Sequence, residues 1–299
     1  MIHYTQFTKV YGAHRAVDAL TVEVPAGSVV ALLGPNGSGK TTTIKAAAGL
    51  VRPTAGTVRL GAGQLPAGDA AARRLCSFLP QRVSFPDALT GREVVDFYRR
   101  LRGVPHEATD RVMRFASLNG AGDRAVGTYS GGMTQRLGLA VSMLPEAEIL
   151  LLDEPTAALD PDGLAAFDAL VRAGRQVGQT VFFSSHQLGD VERLADLIFI
   201  LVEGRLAASL TAGELASRLA DRGVMRLRLA RRDAFVLDRV RALAPDARWA
   251  GDDLLVPGPA AARLAALDAV RAAGGVVDGL SADEGRLDEF YRSIVGGAE

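Results

Sequence analysis

A single cysteine, Cys76, in 299 residues rules out an internal disulfide framework and fits a reducing compartment. An excess of one charge is also missing. Lys+Arg and Asp+Glu both number 34, so no net field points to nucleic acid or to an anionic membrane surface. Lysine is scarce, at positions 9, 40 and 45, and every other basic side chain is arginine; a bias toward Ala, Gly and Arg codons accounts for this. Long apolar runs are lacking too. Leu197 to Val202, the most apolar late stretch, is far too short to cross a bilayer, and no basic-then-apolar leader opens the chain. The expectation is a soluble polypeptide that meets a membrane only through a partner. Metal-ligand spacing is absent as well: His3, His14, His106, His186 and Cys76 are scattered.

What is present begins with Gly34-Pro35-Asn36-Gly37-Ser38-Gly39-Lys40-Thr41, which fits the phosphate-loop pattern GxxxxGK[ST] at every fixed position. The apolar run Val29 to Leu33 before it reads as a buried parallel strand, and Thr42 to Leu50 after it as a helix. Glycines let successive N–H groups wrap phosphates, and the helix adds its positive dipole end. Lys40 then supplies a charge for the β- and γ-phosphates, and the Thr41 hydroxyl a ligand for Mg²⁺.

Around this loop the chain reads as α/β. Ile2 to Phe7 and Leu20 to Val24 alternate as strands of an antiparallel entry, with Tyr11 between them where an aromatic could stack on a base. Thr57 to Leu60 is a short strand, followed by a loose segment to Ala70 and a strand from Leu75 to Leu79 ending at Gln81. Thr90 to Arg102 and Glu107 to Leu118 have helical spacing, with Phe97 and Leu101 on one face and Val112, Phe115 and Leu118 on another. They suggest a helical subdomain, about 88–145, inserted into the core. Ser130 is a good N-cap for a helix whose stripe is Met133, Leu137, Val141 and Leu144. Pro161 to Val177 reads as a helix, Thr180 to Phe183 and Leu197 to Val202 as strands, and Thr211 to Ala220 as a helix.

From about residue 222 the units shorten. Strands at Val224 to Leu229, Trp249 to Val256 and Val276-Val277 alternate with helical spacing at Val236/Val240/Leu243, Leu264/Leu267/Val270 and Gly285 to Ile294. The expected organisation is a nucleotide-binding domain over 1–221 and a small α+β appendage over 222–299 in the order β-α-β-α-β-α. Twelve arginines against twelve acidic residues from Arg222 onward argue against a nucleic-acid arm.

Asp153 follows the run Ile149-Leu150-Leu151-Leu152, which is the Walker B arrangement of a carboxylate held at a strand end for Mg²⁺. Glu154 beside it is in place to orient and deprotonate a water. Tyr129-Ser130-Gly131-Gly132-Met133, with Gln135-Arg136 behind it, sets a second anion site at a helix N-terminus.

With that run the chain resembles the ATP-binding cassette family over residues 1 to about 220. The resemblance implies that Tyr11 stacks on adenine and that Asn36, Gly37, Ser38, Gly39, Lys40, Thr41 and Thr42 hold the phosphates. It assigns Ser130, Gly131 and Gly132 as the signature, and Asp160, in the D-loop Ala158-Leu159-Asp160, as a further nucleotide contact. Glu154 would be the catalytic glutamate, His186 the switch histidine, and Gln81 the Q-loop glutamine that serves both the metal and the hydrolytic centre. Asp153, Thr41 and Gln81 would hold Mg²⁺. Tyr129 and Met133 stand where the commonest signature has Leu and Gln, which places the resemblance with bacterial exporter-type ATPases that use YSGGM.

In that family the signature contacts ATP held by the opposite protomer, so the resemblance implies a head-to-tail dimer of this chain, or of this chain with a related ATPase subunit. It further implies a polytopic membrane permease, a place on the cytoplasmic face of the bacterial inner membrane through that partner, an accessory periplasmic protein and no nucleic acid. A finer resemblance runs through Phe85-Pro86, Leu89 to Glu93, Arg136 to Ala140 and Leu287 to Tyr291, to the ATPase of the copper-related ABC transporter that serves nitrous-oxide reductase maturation. A soluble cassette ATPase acting on ribosomes or DNA is the alternative; such proteins usually carry two cassettes or a coiled-coil insertion, and neither is seen. A P-loop small-molecule kinase leaves the signature and Asp153-Glu154 unexplained.

Overall fold

The computed structural model describes residues 1–118 and 120–283. The chain divides into two compact units, Met1–Ala212 and Gly213–Glu299. The division falls ahead of the boundary expected at 221/222, because the helix before that boundary groups with the second unit.

The first unit opens with β1 (Ile2–Tyr11) and β2 (His14–Val24), paired antiparallel so that Tyr11 lies opposite His14 at the hairpin end. β3 (Val29–Leu33) then runs into the phosphate loop and α1 (Lys40–Ala47). β4 (Ala55–Leu60) pairs antiparallel with β1. The segment read as loose holds β5 (Leu65–Pro66) and α2 (Ala70–Arg74) before β6 (Cys76–Leu79). Helices α3 (Gly91–Arg102), α4 (Glu107–Phe115) and α5 (Gly131–Met143) precede β7 (Ile149–Leu152). The unit continues with α6 (Pro161–Gln176), β8 (Thr180–Ser185), α7 (Leu188–Leu194), β9 (Leu197–Val202) and β10 (Arg205–Thr211).

Two sheets carry this unit. One is antiparallel, in the order β2-β1-β4-β5. The other has six strands in the order β10-β9-β3-β8-β7-β6, parallel except for the β10–β9 pair. β3, β7 and β8 are buried at every residue, β3 and β7 as continuous apolar runs of a covered parallel sheet and β8 with polar residues at its two ends. Their carboxyl ends lie side by side, which is where open α/β sheets bind ligands. This is the α/β architecture, with antiparallel subdomain and helical insert, that the sequence implied.

The insert has its own core. Val94, Val95, Val112, Met113, Leu118, Leu137 and Leu144 are buried together, with Met133 and Val141 packed on them. Thr90 closes a capping box with Glu93 at the start of α3. Phe97 and Leu101 do share a face of α3, but it points outward: they are 57% and 68% exposed.

In the second unit, α8 (Ala212–Ala220), whose first residue closes the first unit, leads to β11 (Val224–Leu229), α9 (Ala234–Arg241), β12 (Arg248–Ala250), β13 (Asp253–Pro257), α10 (Ala260–Ala272) and β14 (Val277–Asp283). The sheet order is β12-β13-β11-β14, all antiparallel. Over the described residues the order from β11 is β-α-β-β-α-β, which corrects the third expected unit from one strand to two. Trp249 to Val256 is a hairpin, not one strand, since Gly251 at φ 60° turns the chain after Ala250. The helix expected at Gly285 to Ile294, and Leu287 to Tyr291, lie outside the described residues.

Candidate functional site

Glycine lets the phosphate loop pack as tightly as it does. A Cβ on Gly34 would collide with the Leu201 carbonyl, and one on Gly39 with the Ala16 carbonyl. Gly39, at φ 100°, is the N-cap of α1, so the first N–H groups of that helix open toward the loop. Lys40 is 5% exposed, and its Nζ donates to the carbonyls of Gly34 at 2.8 Å and Pro35 at 3.1 Å. Burial lowers the Lys40 pKa, against the opposing pull of Glu154 and Asp153. A cleft of about 490 Å³ opens over the loop, within the range of small-molecule sites. It is lined by Tyr11, Asn36 to Thr42, Gln81 and Glu154, together with His14 and Ala16.

The carboxylates sit where β7 delivers them. Asp153 is fully buried; its Oδ1 accepts from Thr41 Oγ1 at 3.0 Å and from Ser184 Oγ at 2.8 Å. Desolvation raises its pKa above 3.8, opposed first by those two hydrogen bonds. Its Oδ2 is buried with no hydrogen-bond partner, and so is Ser38 Oγ in the loop. A buried anionic oxygen without a partner, beside a hydroxyl, is a donor set that suits a hard divalent cation such as Mg²⁺.

Glu154 follows at φ 47°, a left-handed conformation costing a non-glycine residue roughly 1–2 kcal/mol. Its N–H is held by Ser184 Oγ at 2.8 Å, so one serine of β8 fixes both acidic residues. The Glu154 side chain meets Lys40 Nζ at 3.7 Å, accepts from Gln81 Nε2 at 2.9 Å, and lies 3.4 Å from His186 Nδ1. The arrangement is a glycine-rich loop at a helix N-terminus with a buried carboxylate that could hold a metal and a second carboxylate held beside it.

Part of the expected site lies elsewhere. Ser130, Gly131, Gly132 and Asp160 do not line the cleft. Ser130 Oγ accepts from Met133 N at 3.2 Å as the N-cap of α5. Asp160 Oδ1 caps α6, accepting from Gly163 N at 2.9 Å, and its Oδ2 pairs with Arg136 Nη2 at 3.2 Å. Both oxygens are thus engaged between α5 and α6. His14, Ala16 and Ser184 were not anticipated. For Ser184 a signal was present: two serines close an otherwise apolar strand at the sheet's ligand-binding end. His14 enters only through the hairpin register that sets it opposite Tyr11.

Fold and site together define a nucleoside-triphosphate-binding P-loop protein. Residues 17–157 match the family model described as ABC transporter. The chain is 40% identical over 232 residues to the daunorubicin/doxorubicin resistance ATP-binding protein DrrA of Streptomyces peucetius, covering 76% of this chain and 70% of that protein. It is 33% identical over 298 residues to the daunorubicin resistance ATP-binding protein DrrA3 of Streptomyces coeruleorubidus, covering 96% and 93%. A solved ATP-binding subunit of an ABC transporter superposes with a TM-score of 0.65 at 27% identity, covering 71% of this chain and 90% of that one. The chain belongs to the ABC transporter family, as an ATP-binding and ATP-hydrolysing subunit. The finer resemblance to a copper-related transporter is not supported: these relatives are named for drug resistance.

Proposed function

We propose that the chain is the motor of an exporter of drug-like small molecules, hydrolysing ATP between two cassettes that face each other head to tail. The observation that carries this is the division of the anion sites: the loop and Glu154 line one cleft, with buried Asp153 hydrogen-bonded to the loop's Thr41, while Ser130 caps α5 outside it. A second cassette's signature supplies what the cleft lacks. The names of the two Streptomyces relatives support the choice of cargo class.

Within the cleft, Tyr11 stacks on the base, and Asn36 to Thr42 surround the phosphates with backbone N–H groups and the Lys40 charge. Thr41, Gln81 and Asp153 would hold Mg²⁺, which when bound neutralises charge on the phosphate oxygens. Glu154 takes the proton from the attacking water as the bond to the γ-phosphorus forms and the bond to the bridging oxygen breaks. General-base assistance of this kind contributes roughly 10²–10⁴ in rate. His186 and Gln81 orient the Glu154 carboxylate through its Oε2, while Lys40 lies on Oε1.

Coupling to a permease falls to the helical insert. Phe97 stacks edge-on against Tyr98 at 5.3 Å, and Tyr98 against Phe85 at 6.1 Å, so Phe97 and Leu101 extend an aromatic ridge into solvent. An exposed apolar ridge of this kind suits a protein partner. Among the described residues no helix is long and apolar enough to cross a membrane. The chain would therefore sit peripherally on the cytoplasmic face, held by a polytopic permease. Co-expression with a candidate polytopic permease tests the reading: the two should copurify and ATPase activity should rise with an exported amphipathic compound. A chain whose ATPase activity ignores both permease and compound would overturn it.

A further inference from the structure

A nucleotide that touches both Tyr11 and the phosphate loop requires the β1–β2 hairpin to stand at a fixed distance from that loop. The β9–β10 turn sets that distance through backbone contacts. Gly204 donates its N–H to the Ser38 carbonyl in the loop at 3.2 Å, and its own carbonyl accepts from Asp18 N on β2 at 2.8 Å. Ala16, two residues before Asp18, presents its carbonyl to Gly39 so closely that no side chain fits there.

Side chains then lock the same junction. Asp18 Oδ2 is met by Arg205 Nη2 at 2.7 Å and Nε at 2.9 Å, and Asp18 Oδ1 by Arg15 Nη1 at 2.8 Å. Arg205 follows Gly204 directly, and Arg15 follows His14, which lines the cleft. One carboxylate therefore ties the root of the base-contacting hairpin to the turn whose backbone touches the phosphate loop. Its side chain is only 14% exposed, whereas Arg205 and Arg15 are 73% and 59% exposed. The arginine bonds hold the Asp18 pKa below its ordinary value, Arg205 contributing most.

We propose that Asp18, clamped by Arg205 and Arg15, is a positioning residue that aligns the Tyr11/His14 hairpin with the phosphate loop and so sets affinity for the base half of ATP. This rests on the assignment of Tyr11 to the base. A residue that merely stabilised the unit would weaken every ligand of the cleft alike. A residue that aligns the hairpin weakens only ligands with a base.

The test compares ATP with inorganic tripolyphosphate, which reaches the loop but has no base. Dissociation constants for both are measured on the full chain for wild type, Arg205→Ala, Arg205→Lys, Asp18→Asn and Tyr11→Ala. Arg205 is exposed, so Arg205→Ala leaves folding intact, and its melting curve checks this. The ratio of the ATP to the tripolyphosphate constant should rise roughly twofold to fivefold in Arg205→Ala and Asp18→Asn, the range of exposed ion pairs. Arg205→Lys should restore it. An unchanged ratio in both clamp variants, with Tyr11→Ala shifting it, would overturn the clamp while leaving the base site in place. An unchanged ratio in Tyr11→Ala would remove the base assignment and the clamp with it.

Discussion

Glu154 Oε1 lies 3.7 Å from Lys40 Nζ, which joins the residue proposed to bind the phosphates to the residue proposed to deprotonate water. Both are nearly buried, at 5% and 8% exposure, so neither charge is screened by solvent. Replacing Lys40 with Ala removes the cation from the loop and leaves Glu154 with Gln81 and His186 alone. ATP affinity should drop at least about tenfold and turnover should disappear, since a charge-assisted contact is worth roughly 1.5–3 kcal/mol. Titration with a fluorescent ATP analogue, alongside phosphate release, reads both; normal turnover in Lys40→Ala would remove the loop from the mechanism.

Glu154→Gln keeps the shape of the side chain and its reach to Gln81 and His186 but cannot take a proton. Turnover should fall by roughly 10²–10⁴ while ATP still binds. Single-turnover hydrolysis at saturating nucleotide separates the two effects. A near wild-type rate would strip Glu154 of its role.

Asp153 gives the site a pH dependence of definite sign. Burial raises its folded pKa above the ordinary 3.8, so its contribution to stability is full below that value and is lost as pH rises through the folded pKa. At neutral pH the ionised carboxylate therefore costs stability, and a bound cation offsets the cost. As pH falls through the raised pKa, protons compete with Mg²⁺, and the Mg²⁺ needed for half-maximal hydrolysis should climb by up to about tenfold per pH unit. An Mg²⁺ requirement that does not change as pH is lowered across the acidic range in which the chain stays folded would contradict the assignment of Asp153 to the metal.

Phe97 gives a clean test of docking, because it stands outside the insert's core while its stacking partner Tyr98 and Phe85 pack against that core. Phe97→Asp on the exposed face of α3 should cut permease copurification severalfold and leave the isolated chain's ATPase rate unchanged. Equal recovery of permease with both proteins would move the docking surface elsewhere.

Local motifs carried most of the site in the sequence. A phosphate loop, and an acidic pair after an apolar strand, are each set by neighbours within a few residues, and the structure brings Lys40, Thr41, Asp153 and Glu154 together as that pattern requires. What escaped depends on distant pairing. His14 meets the cleft through hairpin register, and Ser184 reaches the acidic pair from the next strand. The outward face of Phe97 and Leu101 was equally hidden, because helical spacing shows that two residues share a face but not which way it points. In the second unit the Gly251-Asp252 pair between two short alternating runs was a hairpin signal in plain view; reading Trp249 to Val256 as one strand passed over it.

If this chain completes its ATP site with a second cassette, light scattering of Glu154→Gln with Mg²⁺ and ATP should show the pair. Removing a negative charge near the γ-phosphate and blocking hydrolysis should let the closed pair accumulate. The mass should double from the 31.4 kDa of one chain when ATP is added, and Ser130→Arg, which obstructs the signature helix, should return it to one chain. A mass that stays at one chain with ATP fully bound, or a dimer indifferent to Ser130→Arg, would contradict the account.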